Sequence, residues 1–239
     1  MKANRYKIYI IGIGYKPLDR KSMDILAEAG TIVASERLFD VFKRYESFPA
    51  VKNKVRVIKN VRETMEFLGS HLKTESIVLL GSGDPMFHGI GRQVLAQFGP
   101  DRVEIVPDLS SIQVAFSRIK ETWDDAFLMS LHGGIDPERR RRLPHNIDEV
   151  PSLLLKHKKI AILTDSKNNP AEIARRLVNL PHLSSVRVFV CEKLGYPDEE
   201  KISSGTPEEI AGQTFSDTNV VILLHAEEEQ DAAEKRPVH

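Results

Sequence analysis

Cysteine is all but missing from this 239-residue chain: Cys191 stands alone, so no disulfide can form within it. Excess charge is missing too, with 34 basic residues against 34 acidic ones. No global field therefore gathers nucleic acid or an anionic membrane surface, and an anionic ligand has to be met by a local patch. The eight histidines lack the spacing of a zinc site, and no metal is expected. No apolar run approaches the roughly 20 residues of a membrane span. The N-terminal stretch is basic and then apolar, yet its apolar run is short and ends in Gly12 and Gly14 instead of a cleavage site. These absences predict a cytoplasmic protein. What is present is core material: 41% of the residues are hydrophobic, enough for one large core or two modest ones.

Along the chain, β-favouring runs alternate with helical periodicity. Lys7 to Ile11 reads as a strand ending in the loop Gly12-Ile13-Gly14, and Leu18, Ile25, Leu26 and Ala29 mark a helix before Gly30. Further strands are expected at Thr31 to Ala34, Ile77 to Leu80 and Val103 to Val106, with helices at Gly91 to Phe98 and Ser110 to Ile119. This alternation predicts a largely parallel α/β sheet. The pattern breaks around Lys120 to Asp125 and restarts with apolar runs at 126–131, 160–163, 186–190 and 220–224. Helices are expected at Pro170 to Val178 and Pro207 to Ala211, where proline suits a first turn. Leu194 to Ser204 reads as polar. The expected organisation is an N-terminal α/β lobe at 1–120, a C-terminal α/β lobe at 121–226 and a tail at 227–239 that is disordered or a solvated helix.

Two glycine-rich strand ends stand out. Gly12 and Gly14 begin a dinucleotide fingerprint, with Glu36 beyond the second strand, but Pro17 takes the place of the third glycine that allows close helix packing. A conventional nicotinamide site is not expected, and a plain tight turn reads equally well. The second segment, Leu79 to Gly91, runs from a strand into four glycines, one Asp-Pro and one aromatic. Such glycines let backbone groups approach a ligand, at the carboxyl end of a strand where open α/β sheets bind theirs. An ordinary glycine-rich connection remains the alternative.

Gly83-Asp84-Pro85-Met86-Phe87-His88-Gly89-Ile90-Gly91 resembles the G-D-P-x-F-x-G-I-G loop of the tetrapyrrole methylases. In the same order, Gly12-Ile13-Gly14 resembles that family's opening loop, and Val106 to Ala115 its P-G-x-S-S-x-Q-x-A segment. Ser130-Leu131-His132-Gly133 and Leu163-Thr164-Asp165 through Asn169-Pro170 resemble the branch that methylates C5 of a corrin precursor. The matches span residues 8 to 224. Two positions depart from the family pattern: Tyr15-Lys16 stands for Pro-Gly in the opening loop, and Asp108 for the Gly of P-G-x-S-S.

The resemblance implies two α/β lobes of the tetrapyrrole methylase type, distinct from a Rossmann methyltransferase, with the active site in the cleft between lobes. It implies S-adenosyl-L-methionine as methyl donor, S-adenosyl-L-homocysteine as product, and a homodimer. Carried over by position, cofactor contacts are expected at Gly12, Gly14, Ser82, Gly83, Asp84 and Phe87, at Ser110 and Ser111, and at Leu131 and Thr164. Blander roles stay open: Phe87 as core, Ser110 and Ser111 as helix caps, Thr164-Asp165 as a polar loop. His132 is the candidate acid–base group, against the alternative of a structural histidine for it and for His88.

The basic run Arg139 to Arg142, followed by Lys156, Lys158 and Lys159, lacks the interleaved aromatics of a nucleic-acid surface. A solvated helix face is one reading, and a site for the carboxylates of a corrin precursor is another. No nucleophile or metal constellation is found, which suits direct methyl transfer. The expected function is C5 methylation of a cobalt-precorrin, with C15 methylation and decarboxylation left to a separate partner enzyme. The alternatives are another methyltransferase of the family, acting at a different corrin position or on a non-corrin substrate, and a non-catalytic nucleotide-binding module.

Overall fold

A computed structural model describes residues 6–133 and 143–226. The run Arg139 to Arg142 and the tail at 227–239 lie outside the described residues. The described residues form two units, one reaching Ser110 and one starting at Ser111.

The first unit is built on strands β1 (Ile8–Ile13), β2 (Thr31–Ala34), β3 (Val55–Val57), β4 (Ile77–Ser82) and β5 (Val103–Val106), in the order β3-β2-β4-β1-β5. Every pair in it is parallel. In β1, Ile8, Ile10, Ile11 and Ile13 are all buried, as expected of a central strand covered on both faces. The crossovers are α1 (Arg20–Glu28), α2 (Glu36–Phe42) with the short α3 (Phe48–Val51), α4 (Val61–His71) and α5 (Gly91–Phe98). Each of three helix starts has a polar N-cap: Asp19 accepts from Ser22 N–H at 2.7 Å, Ser35 from Leu38 at 3.3 Å and Asn60 from Glu63 at 2.9 Å. Because all five strands run the same way, their carboxyl ends share one edge of the sheet.

The second unit opens with α6 (Ser111–Ile119), ahead of the expected boundary at 120/121. Buried Ile112, Val114, Ala115 and Phe116 give the helix its apolar face, and it packs on β7 (Lys159–Leu163) and β10 (Asn219–His225). Arg118 of α6 also pairs with Glu200, whose carboxyl it holds below the usual range. With β6 (Phe127–Ser130), β8 (Val186–Glu192) and β9 (Lys201–Gly205), the sheet order is β6-β7-β10-β8-β9. Helices α7 (Val150–His157), α8 (Pro170–Arg175) and α9 (Pro207–Ala211) complete the unit.

The parallel arrangement expected of the first half, and found there, does not extend to this sheet, for which the sequence reading set no directions: β6–β7 is parallel and the other three pairings are antiparallel. The connection between β8 and β9 explains their own pairing. Only residues 193–200 separate β8 from β9, too few for a helical crossover. The segment read as polar contains β9, an edge strand whose Ile202 is 40% exposed and whose serines carry no apolar alternation. Cys191 is fully buried in β8, where burial and then the Glu200 charge push its thiol pKa up to about 12. Such a thiol is packing material and no nucleophile. No helix among the described residues is long and apolar enough to cross a membrane, and no His, Cys, Asp and Glu side chains among them group as a metal site.

Candidate functional site

At the carboxyl edge of the first sheet, β1 extends two residues further than expected, and Gly12 and Ile13 pair in register with Gly81 and Ser82 of β4. The loops after the flanking strands close over this end: Asp108 N–H, just past β5, donates to Gly83 C=O, just past β4, at 3.2 Å. A Cβ on Gly12 would lie 1.9 Å from that carbonyl oxygen and 2.6 Å from Asp108 N. Gly83 itself has φ +58°, donates its N–H to Ile13 C=O at 2.9 Å, and faces Leu109 O at 2.6 Å from a hypothetical Cβ. Both glycines are thus required by the closure of the protein's own loops.

Asp84 Oδ1 accepts from Met86 N–H at 2.8 Å, the local turn that its Asp-Pro sequence favours. Ser82 is exposed at the end of β4, and Phe87 is half-buried with its ring against His88 at 4.8 Å. Ser110 is buried directly before α6, and Ser111 is the first residue of that helix.

Three successive N–H groups leave β1, and all are bonded to side-chain oxygens. Gly14 donates to Tyr45 Oη at 2.7 Å, while Tyr15 and Lys16 donate to Asp108 Oδ2 at 2.8 and 3.2 Å. Asp108 Oδ1 takes Leu109 N–H at 2.7 Å. Burial raises the Tyr45 phenol pKa, and the Asp108 charge adds to it. Sequence reasoning missed Tyr45, which sits between α2 and α3 with its ring 6.0 Å from Phe42 and belongs to no motif. Asp108 was visible only as a departure from a pattern. The two departures prove to be bonded to each other.

In the second unit, Leu131, His132 and Gly133 follow β6, and Thr164 and Asp165 follow β7. Leu131 is buried; its N–H donates to Leu163 C=O at 2.8 Å and its C=O accepts from Asn168 Nδ2 at 2.8 Å. The Thr164 hydroxyl lies 2.9 Å from the Asn219 backbone oxygen and 2.5 Å from Asn219 Oδ1. Asp165, 6% exposed, accepts Gly133 N–H on Oδ2 at 2.9 Å, and Lys167 and Asn168 N–H on Oδ1 at 3.0 and 2.8 Å. The His132 ring is exposed, and its Nδ1 lies 3.1 Å from Thr164 C=O. A carbonyl only accepts, so this bond is made when Nδ1 carries a proton, a tautomer that leaves the lone pair on Nε2. Sequence reasoning also missed the role of Asp165, whose three donors include one that is distant along the chain.

Comparison with known proteins agrees along nearly the whole chain. The family model described as Tetrapyrrole (Corrin/Porphyrin) Methylases matches residues 7–211. A relative from Methanocaldococcus jannaschii, named probable cobalt-precorrin-7 C(5)-methyltransferase, is 32% identical over 230 residues, which is 92% of this chain and 99% of that protein. A Sinorhizobium precorrin-6Y C(5,15)-methyltransferase (decarboxylating) is 31% identical over 119 residues, 50% of this chain and 26% of that one. Among solved structures, the precorrin-6Y methylase of cobalamin biosynthesis from Archaeoglobus fulgidus superposes with a TM-score of 0.64 at 22% identity, covering 92% of this chain and 98% of that one, which establishes a shared fold. With these matches and two α/β units, the chain belongs to the tetrapyrrole (corrin/porphyrin) methylase family.

Proposed function

We propose that the chain is an S-adenosyl-L-methionine-dependent methyltransferase acting at C5 of a cobalt-precorrin in cobalamin synthesis. The observation that carries this is the 32% identity over 99% of the Methanocaldococcus jannaschii relative, whose name states that activity. The donor set at the first sheet's edge fits the methyl donor. Its strand-end N–H groups are taken by Tyr45 and Asp108, leaving no phosphate cradle after β1 and suiting a ligand without phosphates.

The bound donor supplies a methyl group already activated on a sulfonium. What the chain has to provide is orientation and exclusion of water. Gly12, Gly14, Ser82, Gly83, Asp84, Phe87 and Ser110 of the first unit are assigned to donor binding, with Ser111, Leu131 and Thr164 of the second. Leu131 C=O keeps a second lone pair after accepting from Asn168, and Thr164 Oγ1 keeps its lone pairs after donating to Asn219. His132, with its proton held on Nδ1 by Thr164, offers Nε2 to the proton that the methylated carbon sheds.

In this reading the corrin precursor is the second substrate, S-adenosyl-L-homocysteine is a product, and the protein works as a cytoplasmic homodimer. The Sinorhizobium relative's name covers both C5 and C15; here C15 methylation with decarboxylation falls to a separate enzyme. Calorimetry is expected to show binding of S-adenosyl-L-methionine and none of nicotinamide dinucleotides, since Pro17 and the Asp108 carboxylate both obstruct a pyrophosphate. Nicotinamide binding without methyl-donor binding would contradict the proposal. Light scattering on the same sample is expected to give a dimer, and a monomer at every accessible concentration would remove that part alone.

A further inference from the structure

A run of backbone N–H groups at a strand-to-helix turn is the arrangement that collects phosphates and other anions. After β1 that run exists, at Gly14, Tyr15 and Lys16, but the chain fills it with its own oxygens. Two of the three N–H groups go to the Asp108 carboxylate, which spans 93 positions of sequence to reach Tyr15. A third N–H, from Leu109, pins the other oxygen. The edge where a phosphate loop would present a positive field therefore holds a fixed negative charge. That charge is half-buried and felt nearby, since after burial it is the Asp108 carboxylate that raises the Tyr45 phenol pKa. Asp84, in the loop after β4, adds a second carboxylate. The opposing cation in this loop, Lys16, is exposed, where water screens it.

We infer that Asp108 is a specificity-determining residue whose carboxylate makes the loop after β1 favour a cationic ligand over a neutral one of the same shape. The inference rests on the methyl-transfer reading and refines it. The sulfonium donor and the thioether product differ by one methyl group and one positive charge, with the rest of the molecule unchanged. A fixed anion attracts the first and is indifferent to the charge-free sulfur of the second, so it sorts donor from product. Three N–H bonds hold the carboxylate, so the field needs no rearrangement when the ligand arrives.

Calorimetry with S-adenosyl-L-methionine and S-adenosyl-L-homocysteine on the parent protein, Asp108→Asn and Asp108→Glu separates this role from a structural one. Asp108→Asn keeps the shape and one acceptor oxygen and removes the charge. The donor-to-product affinity ratio is expected to fall by about three- to tenfold in that variant, and to stay near the parent's in Asp108→Glu. A merely structural role weakens both ligands in the same proportion. Should Asp108→Asn not fold, by circular dichroism, Asp108→Ser serves as the neutral variant with the same expected fall. An unchanged ratio in a folded neutral variant overturns the inference and leaves the methyltransferase reading standing. If neither ligand binds the parent protein, that reading fails and the inference goes with it.

Discussion

Gly12→Ala is expected to unfold the first unit or to destabilise it by about 3 kcal/mol or more, well above the effect of an ordinary surface substitution. A single methyl group is enough because its site is occupied by backbone. Its position lies 1.9 Å from Gly83 O and 2.6 Å from Asp108 N, the two atoms of the hydrogen bond that closes the loops over β1. No rotamer relieves a Cβ, so the strand or both loops must move. Urea unfolding followed by circular dichroism measures the loss. A variant with the parent's midpoint would mean that these loops do not close over Gly12. Gly83→Val is expected to fail for a related reason, positive φ and the Leu109 carbonyl, so its failure reports on folding and not on ligand contact.

Asp165→Ala is the second large effect, expected to cost the second unit about 3 kcal/mol. It leaves the N–H groups of Gly133, Lys167 and Asn168 without their acceptor at a position that is 6% exposed. The same change loosens the segment that presents His132, because Gly133 adjoins it and Asn168 also holds Leu131 C=O. Methyl transfer is accordingly expected to fall by about tenfold or more in the protein that remains folded. Urea melts and turnover rates on one preparation test both parts. A midpoint within about 0.5 kcal/mol of the parent's would show that water satisfies these donors as well as the carboxylate does.

Four strands of the first unit, β1, β2, β4 and β5, were legible in the sequence because their signals are local: the isoleucines of β1 and the glycine-rich end of β4 lie within or next to the elements they define. The stretch from 36 to 71, with α2, α3, β3 and α4, was not read, since β3 has only three residues, two of them exposed. The second sheet was legible as a set of strands but not as directions, since an apolar run such as 186–190 reads the same in a parallel or an antiparallel neighbour. β9 stayed hidden because an edge strand with serines carries no hydrophobic period. At the candidate site, motif matching marked Gly83 and Thr164, but not that Leu109 O and the Tyr15 ring already crowd the space beside Gly83. Tyr45 and Asp108 act on Gly14 and Tyr15 across 31 and 93 positions, a distance at which no spacing in one sequence carries information.

The central claim is transfer of one methyl group to C5 of a cobalt-precorrin, and the most direct measurement is the position of a labelled methyl carbon. The purified protein is incubated with S-adenosyl-L-methionine carrying a carbon-13 methyl group and with the cobalt-precorrin, and the product is examined by NMR. The label is expected as a single new methyl group on C5, with S-adenosyl-L-homocysteine formed in equal amount. Label on a different ring carbon would contradict the C5 assignment, and a tetrapyrrole without label would contradict the corrin reading as a whole.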